Sequence, residues 1–121
     1  MLPKGKRQKG SRLERKFASL IRQKGLDKNA KKMVLSGGDW AFRGDIYSKL
    51  PFTFECKKQE KMSFWAWWEQ ARSQATYQKP AVLVHSANFR PIMVSMDADT
   101  FLNLLKEKQD YQELYERLKG K

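Results

Sequence analysis

Apolar residues recur every three to four positions from Leu13 through Phe17, Leu20 and Ile21, the spacing of a helix with one buried face. Ser11 is placed to cap this helix and Gly25 to end it, which predicts a helix over 11 to about 25. The period then changes. Met33-Val34-Leu35 reads as a short strand and Ser36-Gly37-Gly38-Asp39 as a loop. Arg43 to Tyr47 and Phe52 to Lys57 read as a second and third strand, joined by a tight turn at Lys49-Leu50-Pro51. After the polar stretch Lys58 to Lys61, Ser63 opens a long helix to about Gln78. Ala81 to His85, between Pro80 and Asn88, has the pattern of a buried strand, and Ile92 to Ser95 of another. Asp97 or Asp99 caps a helix carrying Phe101, Leu102, Leu104 and Leu105. A last helix from Asp110 carries Tyr111, Leu114, Tyr115 and Leu118 on one stripe. This order predicts an α/β fold: a single domain with a mixed central β-sheet flanked by helices, an αβββαβ core followed by C-terminal helices.

A chain of 121 residues has room for one core. Charge divides it unevenly. Residues 1–32 hold twelve Lys/Arg against two acids, Glu14 and Asp27, whereas residues 33–121 hold thirteen against eleven. The excess of +12 is therefore concentrated at the front, the electrostatic footprint of a polyanion binder driven by counterion release. Residues 1–10 are expected to be a mobile basic arm, 11–108 the main domain, and 109–121 its C-terminal helix. Lys4, Lys6, Arg7 and Lys9 on the arm, with Arg12, Arg15 and Arg43, are the expected grips on a nucleic-acid backbone. No apolar run approaches a membrane span, and the basic start lacks an apolar signal core. The single cysteine permits no internal disulfide, which fits a reducing cytoplasm.

The stretch GDIYSKLPFTFECKK, residues 44–58, carries the candidate chemistry. Strand alternation puts Phe52, Phe54 and Cys56 on one face and Thr53, Glu55 and Lys57 on the other. A turn at Lys49-Leu50-Pro51 pairs Ser48 with Phe52, and counting back places Asp45 opposite Glu55, with Cβ atoms about 5 Å apart. Two carboxylates that close repel unless a cation lies between them. A hard divalent ion, Mg²⁺ or in its place Mn²⁺, suits such oxygen donors. Lys57 then stands where it can assist an attacking water or stabilise charge on a phosphate.

These residues, Asp45 followed by Glu55-Cys56-Lys57, resemble the PD-(D/E)XK nuclease superfamily, with its restriction-endonuclease-like core. Within that superfamily the element order over about residues 11–106 is most similar to the small Holliday-junction resolvases of archaea and their phage-encoded relatives. The resemblance implies that Glu14, on the first helix, joins the site, that the Cys56 carbonyl is a metal ligand, and that Ser36 is the loop serine ahead of the aspartate. It also implies a glutamine on the helix after the E-x-K motif. Gln70 and Gln74 share a stripe with Trp67 and Tyr77, and both are candidates, Gln74 for the catalytic set and Gln70 for DNA contact. The departure from the pattern is Gly44, which stands where the superfamily has Pro.

On the same helix, Phe64, Trp68, Ala71 and Ala75 make the expected core stripe, and the cluster Phe64-Trp65-Ala66-Trp67-Trp68 is too aromatic to be all core. His85, the sole histidine, ends a buried strand and reads as structural. No zinc constellation, phosphate-binding loop or Ser–His pair is present. The sequence thus points to a metal-dependent DNA endonuclease, by resemblance a four-way-junction resolvase. Such an enzyme has two strands to cut, so a homodimer is expected. The alternatives are another repair or restriction-like nuclease of the superfamily, or a basic nucleic-acid-binding protein without catalysis.

Overall fold

In a computed structural model of the chain, residues 4–33, 44–58 and 63–120 are described, residues 4–11 as backbone only. The elements run α1 (Lys4–Gln23), β1 (Lys31–Lys32), β2 (Ile46–Tyr47), β3 (Thr53–Lys58), α2 (Phe64–Gln74), β4 (Ala81–Ser86), β5 (Met93–Ser95) and α3 (Ala98–Lys119). The main sheet is mixed, in the order β3-β4-β5. β3 and β4 run parallel with Phe54 beside Val82 and Cys56 beside Val84, and β5 returns antiparallel. β1 and β2 form a separate two-stranded antiparallel ribbon. Helices and a mixed sheet in one small domain are the α/β architecture that the pattern predicts.

Alternation along the parallel pair divides the packing. Phe54, Cys56, Val82 and Val84 form one buried cluster with Leu13, Ala18 and Ile21 of α1, and the Phe17 ring meets Phe54 edge-on at 5.1 Å. The intervening residues Thr53, Glu55, Ala81 and Leu83 are also buried and face the other side. There α2 packs on β3 and β4, burying Trp67 and Ala71. The sheet thus lies between α1 and α2, with both faces covered, as parallel strands require.

Several boundaries differ from the sequence expectation. α1 begins at Lys4 and runs through Ser11, so the expected cap is interior to the helix and the backbone of residues 4–10 is helical. Its end is as expected: Gly25 has φ 73°, Gly25 N–H donates to the Arg22 carbonyl and Leu26 N–H to the Ile21 carbonyl, the glycine stop in which two late carbonyls are satisfied. The strand expected at 33–35 is found at Lys31–Lys32 instead; Met33 lies just past it, and residues 34 and 35 lie outside the described residues. α2 stops at Gln74 rather than Gln78, because Ala75 is extended and Thr76 and Lys79 exchange backbone hydrogen bonds ahead of Pro80.

The two expected C-terminal helices are one. Between Thr100 and Leu118 the chain has no Gly or Pro to stop a helix, and the Lys106–Asp110 ion pair of 3.0 Å spans the expected break. No described helix is long and apolar enough to cross a membrane.

Candidate active site

Among the described strands β3 pairs only with β4, so one of its edges is free. Successive residues of a strand aim their backbone groups at opposite edges. Thr53 N–H turns toward β4 to reach the Pro80 carbonyl, which leaves Phe54 and Cys56 facing the free edge. Asp45 fills it. Its N–H donates to the Phe54 carbonyl at 2.7 Å, its Oδ2 accepts the Cys56 N–H at 2.8 Å, and its own carbonyl accepts the Met33 N–H at 2.9 Å. The expected β2–β3 hairpin ladder is corrected here, since β2 pairs with β1 instead, Lys31 opposite Tyr47 and Lys32 opposite Ile46. Asp45 nevertheless bridges the two residues that flank Glu55. The Cys56 carbonyl points to the same edge as its N–H.

Gly44 sets the approach of Asp45. Its φ is 90°, and a Cβ there would lie 2.7 Å from the Phe54 carbonyl oxygen. Proline, fixed near φ of about −65°, cannot take this conformation, so the departure from the superfamily pattern follows from how this chain enters the site.

Three carboxylates feel one another around the free edge. Burial, then the Asp45 charge, raises Glu14 of α1 to about 7. Burial, then Asp45, raises Glu55 to about 7, with a smaller push from Glu14 and an opposing pull from Lys57. Asp45 is also raised by burial, against the Cys56 N–H and the charges of Lys57 and Lys32. Burial pushes the Cys56 thiol up as well, so Cys56 offers the site its backbone, not a thiolate. Among the described residues no group of three or more His, Cys, Asp or Glu is already spaced to enclose a metal ion.

Across residues 5–119 the chain matches the family model described as "Phage putative PDDEXK endonuclease". The chain belongs to this family. No curated protein and no solved structure matches it. Membership makes a nuclease function the supported one, with DNA as the implied substrate class, and nucleases of the PDDEXK superfamily generally use divalent metal ions. The donors gathered here, carboxylates and a strand carbonyl, are the hard oxygens such an ion takes.

The two glutamines left open by the family's helix separate in space. Gln70 Nε2 donates to Glu55 Oε1 at 3.0 Å, whereas the side chain of Gln74, one turn further along α2, makes no hydrogen bond among the described residues. Lys32 is the residue that sequence reasoning missed. It is one lysine of a basic run, and only the β1–β2 register, Lys32 opposite Ile46, brings its charge to Glu14 and Asp45.

Of the expected backbone grips, Arg12 and Arg15 are exposed on α1. Lys4, Lys6, Arg7 and Lys9 lie on the same helix, their side chains outside the described residues, as are Ser36 and Arg43 altogether. The expected core stripe on α2 is corrected in part: Ala71 is buried as expected, but the buried tryptophan is Trp67, while Phe64, Trp68 and Ala75 are half-buried and Trp65 is exposed. His85 is structural in its contacts, with Nε2 2.9 Å from Ser95 Oγ and its ring edge-on to Phe64.

Proposed function

We propose that this chain is a divalent-metal-dependent endonuclease that cleaves DNA phosphodiesters, with four-way junctions as its preferred substrate. The observation that carries the metal reading is that Glu14, Asp45 and Glu55 are all raised by burial beside the free edge of β3, with the Asp45 charge adding to the rise of the other two, an arrangement that a cation stabilises. Asp45, Glu55 and the Cys56 carbonyl would hold Mg²⁺, with Mn²⁺ able to substitute. Such an ion supplies Lewis-acid polarisation of the phosphate and a bound water of lowered pKa.

The chain's own residues do the rest. Gln70 fixes the Glu55 carboxylate through its 3.0 Å hydrogen bond, as outer partners of ligating groups do. Lys57, whose charge favours the ionised forms of both Asp45 and Glu55, stabilises charge developing on the phosphate or holds the attacking water. Glu14 completes the acidic pocket from α1. The basic residues of α1 position the DNA through its phosphates with little reading of sequence. The preference for junctions rests on the likeness to the resolvases, and a junction with two equivalent strands to cut asks for two active sites in one homodimer.

The test is a cleavage assay with Mg²⁺ on a four-way junction, a flap and a linear duplex, comparing the natural chain with Glu55→Gln. Metal-dependent nicking that Glu55→Gln abolishes supports the nuclease. Equal cutting of all three substrates would reject the junction preference and keep the nuclease. Binding without nicking would leave a basic nucleic-acid-binding protein.

A further inference from the structure

We propose that α3 is the surface through which two copies of this chain associate, as an antiparallel helix pair. The helix runs 22 residues, about 33 Å, and Thr100 near its start is its one buried residue among those described. No other described element packs extensively on it. It nonetheless carries large apolar side chains into solvent: Phe101 is 51 % exposed, Tyr111 73 %, Tyr115 61 % and Leu118 62 %. Helices in proteins draw most of their stability from packing an amphipathic face, and exposed apolar patches of this kind mark contact sites.

The spacing chooses the occupant. Phe101, Leu104, Lys108, Tyr111, Tyr115 and Leu118 follow one another in steps of three and four, the seam of a two-helix coiled coil. The Lys106–Asp110 ion pair lies on the opposite, outward side. Laid against a reversed copy of itself, this seam matches throughout. Phe101 meets Leu118 of the second copy, Leu104 meets Tyr115, and Lys108 meets Tyr111. All three pairs share one two-fold axis, the closed symmetry of a homodimer.

Charge selects the direction. A parallel pair would set Lys108 against its own copy in the apolar seam, two like charges with no partner. The antiparallel pair sets it on the Tyr111 ring instead, where a cation is attracted. The area is of the right order as well. Complete covering of Phe101, Tyr111, Tyr115, Leu118 and the half-buried Leu104 would bury at most roughly 600 Å² per chain, about 1,200 Å² for the pair, the lower end of specific interfaces. This surface would supply the homodimer that the junction-resolving reading calls for, but it depends on no residue of the active site.

Light scattering on the full chain at micromolar concentration should give twice the 14.3 kDa mass of one chain. Tyr111→Glu combined with Leu118→Glu should give the monomer mass, with an unchanged thermal melt of the α1–sheet–α2 body as the check on folding. For direction, Leu104→Cys and Tyr115→Cys chains oxidised together should form a mixed disulfide, and neither should cross-link with itself. A monomeric natural chain, a double-glutamate variant that stays dimeric, or self-cross-linking of either cysteine variant alone would overturn the proposal. Cleavage is not read in any of these arms, so the outcome is separate from that of the nuclease assay.

Discussion

Asp45 Oδ2 accepts the N–H of Cys56 at 2.8 Å, so a proposed metal-binding carboxylate also closes the free edge of the strand that carries its companions Glu55 and Lys57. Stability and chemistry can be separated here. Asp45→Asn keeps an oxygen for the Cys56 N–H and should melt within a few degrees of the natural chain, yet lose cleavage by about 100-fold or more. Asp45→Ala strands that N–H and should also cost about 1–3 kcal/mol in chemical denaturation. Near-normal cleavage by Asp45→Asn would remove Asp45 from the site.

The hydrogen bond from Gln70 to Glu55 gives the second prediction. Gln70→Ala should lower the cleavage rate about 10–100-fold, as loss of an outer partner of a ligating group does, and should leave DNA affinity nearly unchanged. Gln74→Ala should stay within about threefold on both measures, since Gln74 is exempt from that loss. The reverse order in single-turnover kinetics would mean that Gln74 moves into the site when DNA binds.

The third prediction concerns the front-loaded charge. Replacing Lys4, Lys6, Arg7 and Lys9 by Gln keeps helix-forming side chains on α1 and removes four cations. Affinity should fall on every DNA shape alike, and the slope of log affinity against log salt should shrink by up to about four. Titrations at several salt concentrations decide it, and an unchanged slope means these residues do not touch phosphate.

How much of this was legible beforehand follows from which contacts are local. Alternation alone puts Glu55 and Lys57 on one face of β3 and Phe54 and Cys56 on the other, and the buried cluster with α1 contains the latter pair. The partner of β2 was not legible, because β1 and β2 meet across a long connection and each contributes two residues. A turn between Ser48 and Phe52 looks like a hairpin in sequence, yet Asp27 takes the Lys49 N–H at 2.8 Å from a distant loop and draws the turn toward β1. Gln70 and Gln74 share a helical stripe, so periodicity cannot choose between them. Nor can it tell a packed helix from an exposed one: the spacing that carries Phe101 and Leu102 on a helix does not show that they stand in solvent.

The raised acids give a signed pH prediction. Glu14 and Glu55 move from an ordinary 4.5 to about 7 on folding. Their contribution to stability is fully present below 4.5 and is lost as pH rises through about 7. Asp27 runs the other way: the N–H groups of Lys49 and Asn29 hold it below 3.8, so its contribution is lost only as pH falls through that lowered value. Without divalent ions the melting temperature should therefore be lower at about pH 8 than at about pH 5. Mg²⁺ should raise it more at the higher pH, where the carboxylates are free to bind. A flat melting profile, with Mg²⁺ acting equally at both ends, would show that Glu14 and Glu55 are not buried at this site in solution.

Gly44 gives the last prediction, because it separates conformation from chemistry at a position without a side chain. Its φ of 90° is open to glycine and strained for any L side chain, and the nearest obstacle to a Cβ is the Phe54 carbonyl oxygen at 2.7 Å. That oxygen cannot yield cheaply, since it belongs to β3, which is held in register by β4, and accepts the Asp45 N–H. Gly44→Ala should therefore cost at least about 2 kcal/mol, from the left-handed backbone and the close approach together. Gly44→Pro, which installs the residue that the superfamily has here, should cost more, because it demands a φ of the opposite sign. Both should push Asp45 off the edge of β3 and lower cleavage along with stability. Asp45→Asn, by contrast, should lower cleavage alone. The measurement is denaturant unfolding beside single-turnover cleavage for all three variants. A Gly44→Pro chain as stable and active as the natural one would show that the backbone here takes the ordinary proline conformation, and the account of the missing proline would fall.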